Sequence, residues 1–492
     1  MRLKLVRPRV LAGPGIGPRN RCVHLLLAAS LLLGPASPVR ATVAMAAMAA
    51  TGRTGTTGTT DRNDSPGAIA PPPDSVSASE RLAIHGQLTY VEQETGSFNA
   101  PYAGPNSLSP RHGKETADAT LYVGARLWAG AEGWLAVEID QGFGLNNTIG
   151  LAGFTSGEAY KVGRNKPYLR LPRAFIRQTV NLGEANEAHE AVAGAANQLA
   201  DVRSADRFVF TLGKFAVTDV FDASQYSHDP RSDFFNWAVI DAGTFDYAAD
   251  AWGFTVGSAA EWYRGAWTLR AGLFDLSNVP NSEHLDPGAH EFQIVLEAEK
   301  RHELFGLSGK ALVTYYQSRG RMGLLEDAIS LAQRTGGPVD AAAVRQYRSR
   351  VGVSIALEQQ LDTDLALFAR AGAAGGNVEV YEFTDIDRTV ALGLSIKGTR
   401  WSRTRDTAGL AGIINDISAT RERYLDAGGL GVLIGDGRLP HPGREQILET
   451  YYSVAIPAQA FVTFDYQRVT NPAYNRDRGP VSILAVRLHT QF

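Results

Sequence analysis

From about residue 81 to the last residue, the chain repeats one pattern: segments of about ten residues in which apolar and polar side chains alternate. In one segment, Trp267, Leu269 and Leu273 fall on one face, whereas Thr268 and Arg270 fall on the other. Alternation with a period of two is typical of a β-strand with one apolar and one polar face. Repeated over many segments of this length, it predicts strands that cross a membrane as a barrel.

Sixteen segments follow the pattern, and bacterial outer-membrane barrels have an even number of strands. We predict strands at 81–93, 119–129, 132–142, 171–180, 207–216, 251–263, 266–275, 290–300, 309–319, 348–359, 363–373, 388–398, 404–414, 446–456, 460–469 and 480–492. The predicted fold is all-β, a transmembrane antiparallel β-barrel over residues 81–492. Short periplasmic turns and long extracellular loops should connect its strands.

The connections between the segments alternate in length, which supports the barrel independently. Two residues, Gly130 and Ala131, join the second and third segments, whereas 217–250 is tens of residues long. One connection, 181–206, is long although it should lie on the periplasmic side. It is rich in Ala and Glu, which favour helices, so we predict a helix there. We predict a second helix at 323–333, in an external loop.

The N-terminus has the features of an export signal. Residues 1–41 combine basic residues, no acid, the apolar run Val23–Leu33 and a small-residue cleavage site ending at Ala41. Ala44 and Ala46 are alternative cleavage points, and an uncleaved anchor is disfavoured because the apolar run is short. Cleavage after Ala41 removes seven basic residues and the only cysteine, Cys22. The exported chain is therefore acidic and free of cysteine.

Residues 42–80 contain no leucine and no aromatic residue, and they are rich in Thr, Gly, Ala and Pro. Such a segment buries too little apolar surface to offset the entropy of ordering, so we predict a disordered linker. An export signal followed by a linker and a barrel indicates the outer membrane of a Gram-negative bacterium.

The last segment is the sharpest local signal. Leu484, Val486 and Leu488 share a face, and the chain ends in the aromatic residue Phe492. This ending resembles the recognition signal of bacterial outer-membrane barrels, which implies contact with the barrel assembly machinery through the C-terminal strand. An ordinary amphipathic edge strand is the alternative. Outer-membrane lipid is the expected neighbour of the apolar faces, since closure leaves no unpaired backbone in lipid.

Composition excludes several other classes. Outside the N-terminus no run of eighteen apolar residues occurs, so transmembrane helices are not expected. The net charge of −3 provides no basic surface for nucleic acid. The sequence contains no G-x-S-x-G, H-E-x-x-H or P-loop motif. We therefore expect neither enzymatic activity, nor a cofactor, nor a bound metal.

Residues 213–250 combine aspartates and aromatic residues within one predicted loop. Carboxylates accept hydrogen bonds from hydroxyl groups, and aromatic faces stack on the C–H faces of sugars. We predict that this loop folds against the lumen wall and narrows it. The candidate constriction residues are Asp222, Asp229, Arg231, Asp233, Trp237, Asp241 and Asp246. The alternatives are aspartates that shape turns, or a Ca²⁺ site, although the spacing of an EF-hand is absent.

The same region resembles the carbohydrate-selective porins of the OprB family. The matching stretches are GKFAVTDVFD, HDPRSDFFNWAVIDAGTFDYAADAWG, WTLRAGLFDLSNVPN, GGLGVLIGDGRLPHPGREQILETYY, DYQRVTNPAYNRDRGPVS and the terminal RLHTQF. The resemblance extends from about Arg207 to Phe492 and more weakly to Arg81. It implies a barrel through which small sugars, glucose-like mono- or oligosaccharides, diffuse passively into the periplasm. It also implies a monomer rather than a trimer.

If the apolar faces contact lipid, the charged residues of the opposite faces point into the lumen. The predicted pore-lining residues are Arg126, Glu138, Arg177, Glu261, Arg270, Glu297, Arg350, Glu358, Arg370 and Glu449. Arginine donates hydrogen bonds and glutamate accepts them, so such residues can orient sugar hydroxyls. Alternatively, each charge merely keeps the interior polar. A one-residue shift in register would turn any of them toward lipid.

Two other functions remain open from the residues alone. An exported β-rich sugar-binding protein or glycoside hydrolase is possible, because pairs of Glu and Asp are plentiful. A surface adhesin with a plugged lumen is the third hypothesis. His228 and His441 lie in predicted loops, and we expect both to be solvated.

Overall fold

Sixteen antiparallel strands form a closed barrel in the computed structural model, which describes residues 80–159, 163–183, 189–457 and 459–492. The barrel strands are β1 (Leu82–Thr95), β2 (Gly113–Trp128), β3 (Ala131–Gly142), β4 (Arg164–Asn181), β7 (Arg207–Phe215), β8 (Thr255–Arg264), β9 (Trp267–Asp275), β10 (Phe292–Leu304), β11 (Leu307–Met322), β12 (Gln346–Gln360), β13 (Leu365–Ala374), β14 (Arg388–Lys397), β15 (Thr407–Asp416), β16 (Glu445–Ile456), β17 (Ala460–Thr470) and β18 (Val481–Gln491). The predicted signal peptide (1–41) and linker (42–80) lie outside the described residues, except for Glu80.

Each predicted segment overlaps one barrel strand, so the prediction of sixteen strands is confirmed. Strand β1 pairs with β18 and closes the barrel, with Gln87 opposite Gln491. The backbones of Gly86 and Phe492 exchange two hydrogen bonds, of 3.0 and 2.9 Å, at the same seam. Closure pairs the backbone groups that an open sheet edge would leave unsatisfied in lipid.

The inward and outward faces predicted for Trp267–Leu273 are also found in β9. Along β9 the side chains of Trp267, Leu269 and Leu273 are exposed on the outside, whereas Thr268 and Arg270 are buried on the inside. An outer surface of exposed leucine, valine and isoleucine needs an apolar medium around it, because water would oppose its exposure.

The described part of the connection 181–206 does not form the predicted helix. It forms a two-stranded hairpin, β5 (His189–Val192) paired with β6 (Asp201–Ser204), and residues 184–188 lie outside the description. Helix propensity is overridden by tertiary contacts, because Glu132 of the wall accepts a hydrogen bond of 2.9 Å from the backbone of Leu199. Asn197, with φ of 65°, also interrupts any helical path between the two strands.

Three α-helices are present among the described residues: α1 (Trp237–Ile240), α2 (Leu325–Thr335) and α3 (Ala419–Asp426). Helix α2 confirms the prediction at 323–333. Glu326 and Asp327 lie in its first turn, and Gly336 ends it in the left-handed conformation, with φ of 70°. Among the residues described, no helix is long and apolar enough to cross a membrane.

The inner wall carries five cross-strand pairs in which an aromatic ring lies over a glycine. The pairs are Gly124–Trp134, Gly257–Phe274, Gly352–Tyr316, Gly393–Phe368 and Gly409–Tyr451. A Cβ atom added to any of these glycines would lie 2.2 to 2.5 Å from the partner's ring. The missing side chain therefore leaves a recess that the ring of the neighbouring strand fills.

Candidate functional site

The connection between β7 and β8, residues 216–254, lies inside the barrel, and we call it the lumen loop. Every residue from 234 to 250 is buried. The loop contacts wall residues on opposite sides of the bore, including Glu297 on β10 and Glu449 on β16. The loop therefore crosses the interior of the barrel between these strands.

Three phenylalanines of the lumen loop pack on the wall rings that cover glycines. Phe221 contacts Phe274 edge to face, with ring centroids 5.9 Å apart. Phe234 packs against both Phe368 and Tyr451, at 5.4 and 4.8 Å. In addition, Phe245 lies 5.4 Å from the Tyr316 ring. Aromatic contacts of this kind contribute energy beyond the buried area, so they fix the loop at three places.

Buried arginines of the wall hold the lumen loop by its polar groups. Arg370 on β13 donates to the Asp222 carboxylate and to the carbonyl oxygens of Asp222, Ser227 and Ile240. Arg350 on β12 donates to Asp246 at 3.1 Å. Both ion pairs are almost completely buried. Removing one partner of such a pair would leave a buried charge alone, which is costly.

On the opposite wall, Glu449 and Arg487 hold the lumen loop. The Glu449 carboxylate accepts hydrogen bonds from the backbone N–H groups of Phe235 (2.6 Å) and Asn236 (3.3 Å). Arg487 on β18 donates to the carbonyl oxygens of Pro230 and Asp233, at 2.6 and 3.1 Å. Arg487 was absent from the predicted pore-lining residues, although its place in the alternation of β18 already indicated an inward side chain.

The predicted loop residues are distributed between wall contacts and internal pairs. Arg231 bonds Asp229 at 2.9 Å and Gln87 of β1 at 2.7 Å. Asp233 accepts from the backbone of Asp229 at 3.3 Å. Trp237 is buried between Phe154 and Phe383, at centroid distances of 5.4 and 5.0 Å. Its ring therefore serves packing and has no free face for a sugar.

Two titratable groups of the lumen loop are perturbed by their surroundings. Burial raises the pKa of Asp222 to about 6, although Arg370 opposes this shift. Burial would lower the pKa of His228, but the Asp241 carboxylate outweighs burial and raises that pKa to about 9. His228 lies 3.1 Å from both Asp241 Oδ1 and the Thr218 carbonyl oxygen. The expectation of a solvated His228 is thus wrong, whereas His441 is largely exposed.

The ten predicted wall residues all face the interior, and each has a partner. Arg270 lies among Glu261, Glu297 and Glu299, at 3.3, 2.7 and 3.0 Å. Glu358 lies 3.7 Å from Lys310 and accepts from the backbone of Gln225 in the lumen loop. Paired charges of both signs thus line this side of the bore.

Two predicted arginines lie at the short-turn end, beside the β5–β6 hairpin. Arg126 pairs with Asp201 at 2.9 Å, and Arg177 pairs with Glu132 at 3.0 Å. Arg177 also donates to the Asn197 carbonyl oxygen at 2.8 Å. These two side chains therefore hold the hairpin rather than the lumen loop.

The pairing of Glu138 includes an arginine that sequence reasoning missed. Arg170 on β4 bonds Glu138 at 2.7 Å and Asp140 at 2.6 Å. The β3–β4 register shifts between Ala136 and Glu138, where two residues of β4, Leu171 and Pro172, oppose one residue of β3, Val137. This bulge places Arg170 and Arg173 on the same inner face, which strict alternation forbids.

A cavity of about 440 Å³ lies among the long loops, and we call it the outer cavity. Its lining includes Asn281, Arg345, Glu379, Asp385 and Arg421, together with apolar side chains and Tyr424. Arg345 and Glu379 form a two-point pair, with distances of 2.9 and 2.5 Å. None of these residues was among the predicted site residues, because four separate loops bring them together.

Ion pairs connect the outer cavity to the lumen loop. Arg421 lies 3.1 Å from Asp387, and Asp387 lies 3.6 Å from Arg350, which in turn holds Asp246. Burial raises the pKa of Asp387, but Arg421 and Arg350 outweigh burial and hold that pKa below its usual range. A charged path thus extends from the long loops into the bore.

A closed sixteen-stranded barrel with an apolar outer surface, a charged bore and a loop folded inside it defines a porin of the outer membrane. The model of the carbohydrate-selective porin, OprB family, matches residues 106–492. The chain belongs to this family. A search of curated proteins finds no match.

A solved porin structure shows the same fold. The high-pH structure of Pseudomonas putida OprB matches with a TM-score of 0.63 and 16% identity, covering 84% of this chain and 94% of that chain. The low-pH structure of the same porin gives a TM-score of 0.44 and 13% identity, covering 84% and 93%. Pseudomonas aeruginosa OccK11 gives 0.40 and 9%, covering 84% and 95%. The last two scores are too low to bear on the fold.

Membership in this family assigns the chain to the outer membrane as a channel for sugars. The structure agrees with that assignment, since it combines a lipid-facing surface with a polar interior. Membership in the family indicates a channel.

Proposed function

We propose that small neutral sugars, glucose-like mono- or oligosaccharides, cross passively between the lumen loop and the charged inner wall. The observation that supports this most directly is the pairing of every predicted wall charge with an opposite charge or a backbone donor. Arg270 among its three glutamates is the clearest example. Charges paired and buried in this way keep the interior of the barrel polar without a strong net field, which suits the passage of neutral solutes.

Passive flux needs weak contacts, because a site that binds tightly slows release. Charges that already satisfy one another bind a neutral sugar weakly, since a hydroxyl must compete with an existing partner. On this proposal Arg126, Glu138, Arg177, Glu261, Arg270, Glu297, Arg350, Glu358, Arg370 and Glu449 keep the path polar. The lumen loop sets its width, and neither a cofactor nor catalysis takes part.

The C-terminal strand bears on how the barrel is inserted into the membrane. We propose that β18 and its terminal Phe492 are recognised by the barrel assembly machinery. The Phe492 side chain is 74% exposed, while its backbone already closes the barrel against Gly86. The ring is therefore available to a partner. We propose a monomer surrounded by outer-membrane lipid.

Deletion of 222–246 tests the role of the lumen loop. Planar-bilayer conductance should rise severalfold, because the segment that crosses the bore is removed. Deletion of 287–290, an exposed stretch of the β9–β10 connection, is the control and should leave conductance unchanged. Equal conductance of the two deletion variants would show that the loop does not narrow the path.

Liposome swelling tests the sugar preference. Vesicles containing the protein should swell faster in a neutral monosaccharide than in an uncharged non-sugar of equal size. Closed bilayers, with no swelling in any solute, would instead support an adhesin with a plugged lumen.

A further inference from the structure

The outer cavity has the size of a small-molecule site. Its volume of about 440 Å³ falls within the range of about 300–1,000 Å³ that is typical of ligand pockets. Four loops far apart in sequence form it: 276–291, 323–345, 375–387 and 417–444. It lies at the long-loop end, on the side from which a solute reaches the bore.

The lining combines apolar walls with a few fixed polar groups. Leu325, Val339 and Val432 supply apolar surface, and Arg345 with Glu379 supplies a donor and an acceptor side by side. Such a combination suits a pyranose, which has apolar C–H faces and a rim of hydroxyls.

One buried acceptor of the lining has no hydrogen bond. Among the described residues, Asp385 Oδ1 accepts none, although the side chain is fully buried. Its nearest cation is Arg421, at 3.9 Å, while Asp385 Oδ2 accepts from the backbone of Leu433 at 2.7 Å. Buried acceptors are normally satisfied, so this oxygen, which has almost no exposed surface, retains unused hydrogen-bonding capacity within the wall of the cavity.

We propose that the outer cavity is a capture site that binds one neutral sugar of mono- or disaccharide size before the sugar passes into the bore. This proposal rests on the proposed sugar-channel function. The capture site is separate from the lumen loop, and the buried Arg421–Asp387–Arg350 ion pairs link the two.

The charges of the lining favour a neutral ligand over an acidic one. They comprise two arginines, Arg345 and Arg421, and three carboxylates, Asp340, Glu379 and Asp385. Arg345 is already held at two points by Glu379, so an acidic sugar would have to displace a carboxylate and would meet two others. A neutral sugar needs only exchange hydrogen bonds.

The decisive variant fills the cavity. Val339→Trp places an indole in the space, whereas Ala343→Trp adds the same group at an exposed position of the same loop that does not line the cavity. Sugar binding is read in planar bilayers from the interruption of single-channel ion current by added glucose or sucrose. The expected result is affinity weakened about tenfold or more in V339W, and within about twofold of the native chain in A343W.

A second variant covers the case in which V339W does not fold. The double substitution R345Q/E379Q removes the paired charges without filling the cavity, and it should also weaken glucose binding severalfold. Glucuronate should bind the native chain more weakly than glucose does.

Native affinity in both cavity variants would overturn the capture site, and equal binding of glucuronate would overturn its preference for neutral sugars. The failure of the channel proposal looks different, since the native chain would then show neither current nor sugar flux.

Discussion

Replacing Arg370 with methionine removes the side chain that holds the most groups of the lumen loop. Arg370 donates to the Asp222 carboxylate and to three carbonyl oxygens, and both members of the ion pair are buried. In R370M the carboxyl group has no cation, so it takes up a proton instead of remaining charged. Since the pKa of Asp222 is about 6, that proton costs about 1.4 kcal/mol at pH 7.

The three carbonyl oxygens lose a charged donor as well. At about 1 kcal/mol each, the total cost of R370M is about 4 kcal/mol, which agrees with the ~3–5 kcal/mol expected when a buried pair is broken. Lowering the pH from 7 to 5 protonates Asp222 in the native chain too. The difference between the native chain and R370M should then narrow by about 1.4 kcal/mol.

Two measurements check this value. Heat or urea unfolding in detergent gives the loss of stability, and single-channel recording detects a mobile loop as increased current noise. Arg388→Met is the control, because the Arg388 side chain is 62% exposed and pairs with Asp416 at 3.4 Å. That variant should lose less than about 1 kcal/mol. If R370M is no less stable and no noisier than R388M, the buried pair does not hold the loop.

Three further predictions concern other contacts. Because His228 is protonated below a pKa of about 9, its stabilising contact with Asp241 is complete near pH 6 and is lost as the pH rises through 9. Current noise should therefore increase near pH 9 in the native chain but not in H228Q. An increase in noise that persists in H228Q would assign the titration to another group. Gly352→Ala puts a methyl group 2.2 Å from the Tyr316 ring and should lower the free energy of unfolding by about 1–3 kcal/mol. Gly412→Ala, where no atom lies within 4 Å of the added methyl group, should lower it little. Equal melting temperatures of the two variants would contradict this prediction. Phe492→Ala should lower the amount of protein in the outer membrane of cells. It should not slow refolding into detergent, because the backbone of residue 492 still closes the barrel. Slower refolding would indicate a structural role for the ring instead.

The strands were predictable because alternation is a local property of the sequence. Arg270 and Leu269 differ in polarity, so in a wall with lipid on one side Leu269 points outward and Arg270 points inward. The lumen loop was also visible as a dense run of aspartates and aromatic residues. Its anchors on Arg370 and Glu449 followed from the predicted register, since both side chains point inward.

Other features depend on contacts that local patterns do not contain. The hairpin at 189–204 is fixed by Glu132 and Arg177, which belong to other strands, so helix propensity misled the prediction. The bulge of β4 breaks the alternation that assigned inward residues, and Arg170 was missed for that reason. The outer cavity unites loops more than a hundred residues apart, such as those carrying Asn281 and Arg421.

The recesses formed by cross-strand glycines have a consequence for how such a channel can change. Phe221, Phe234 and Phe245 pack on aromatic rings of the wall, so the wall provides three fixed positions at which the loop is held. Between these three phenylalanines the wall binds mainly backbone groups, such as the carbonyl oxygens of Ser227 and Asp233, so loop side chains that do not contact the wall can change while the sixteen strands stay the same. Substitutions in the lumen loop can therefore change permeability without any change to the barrel strands.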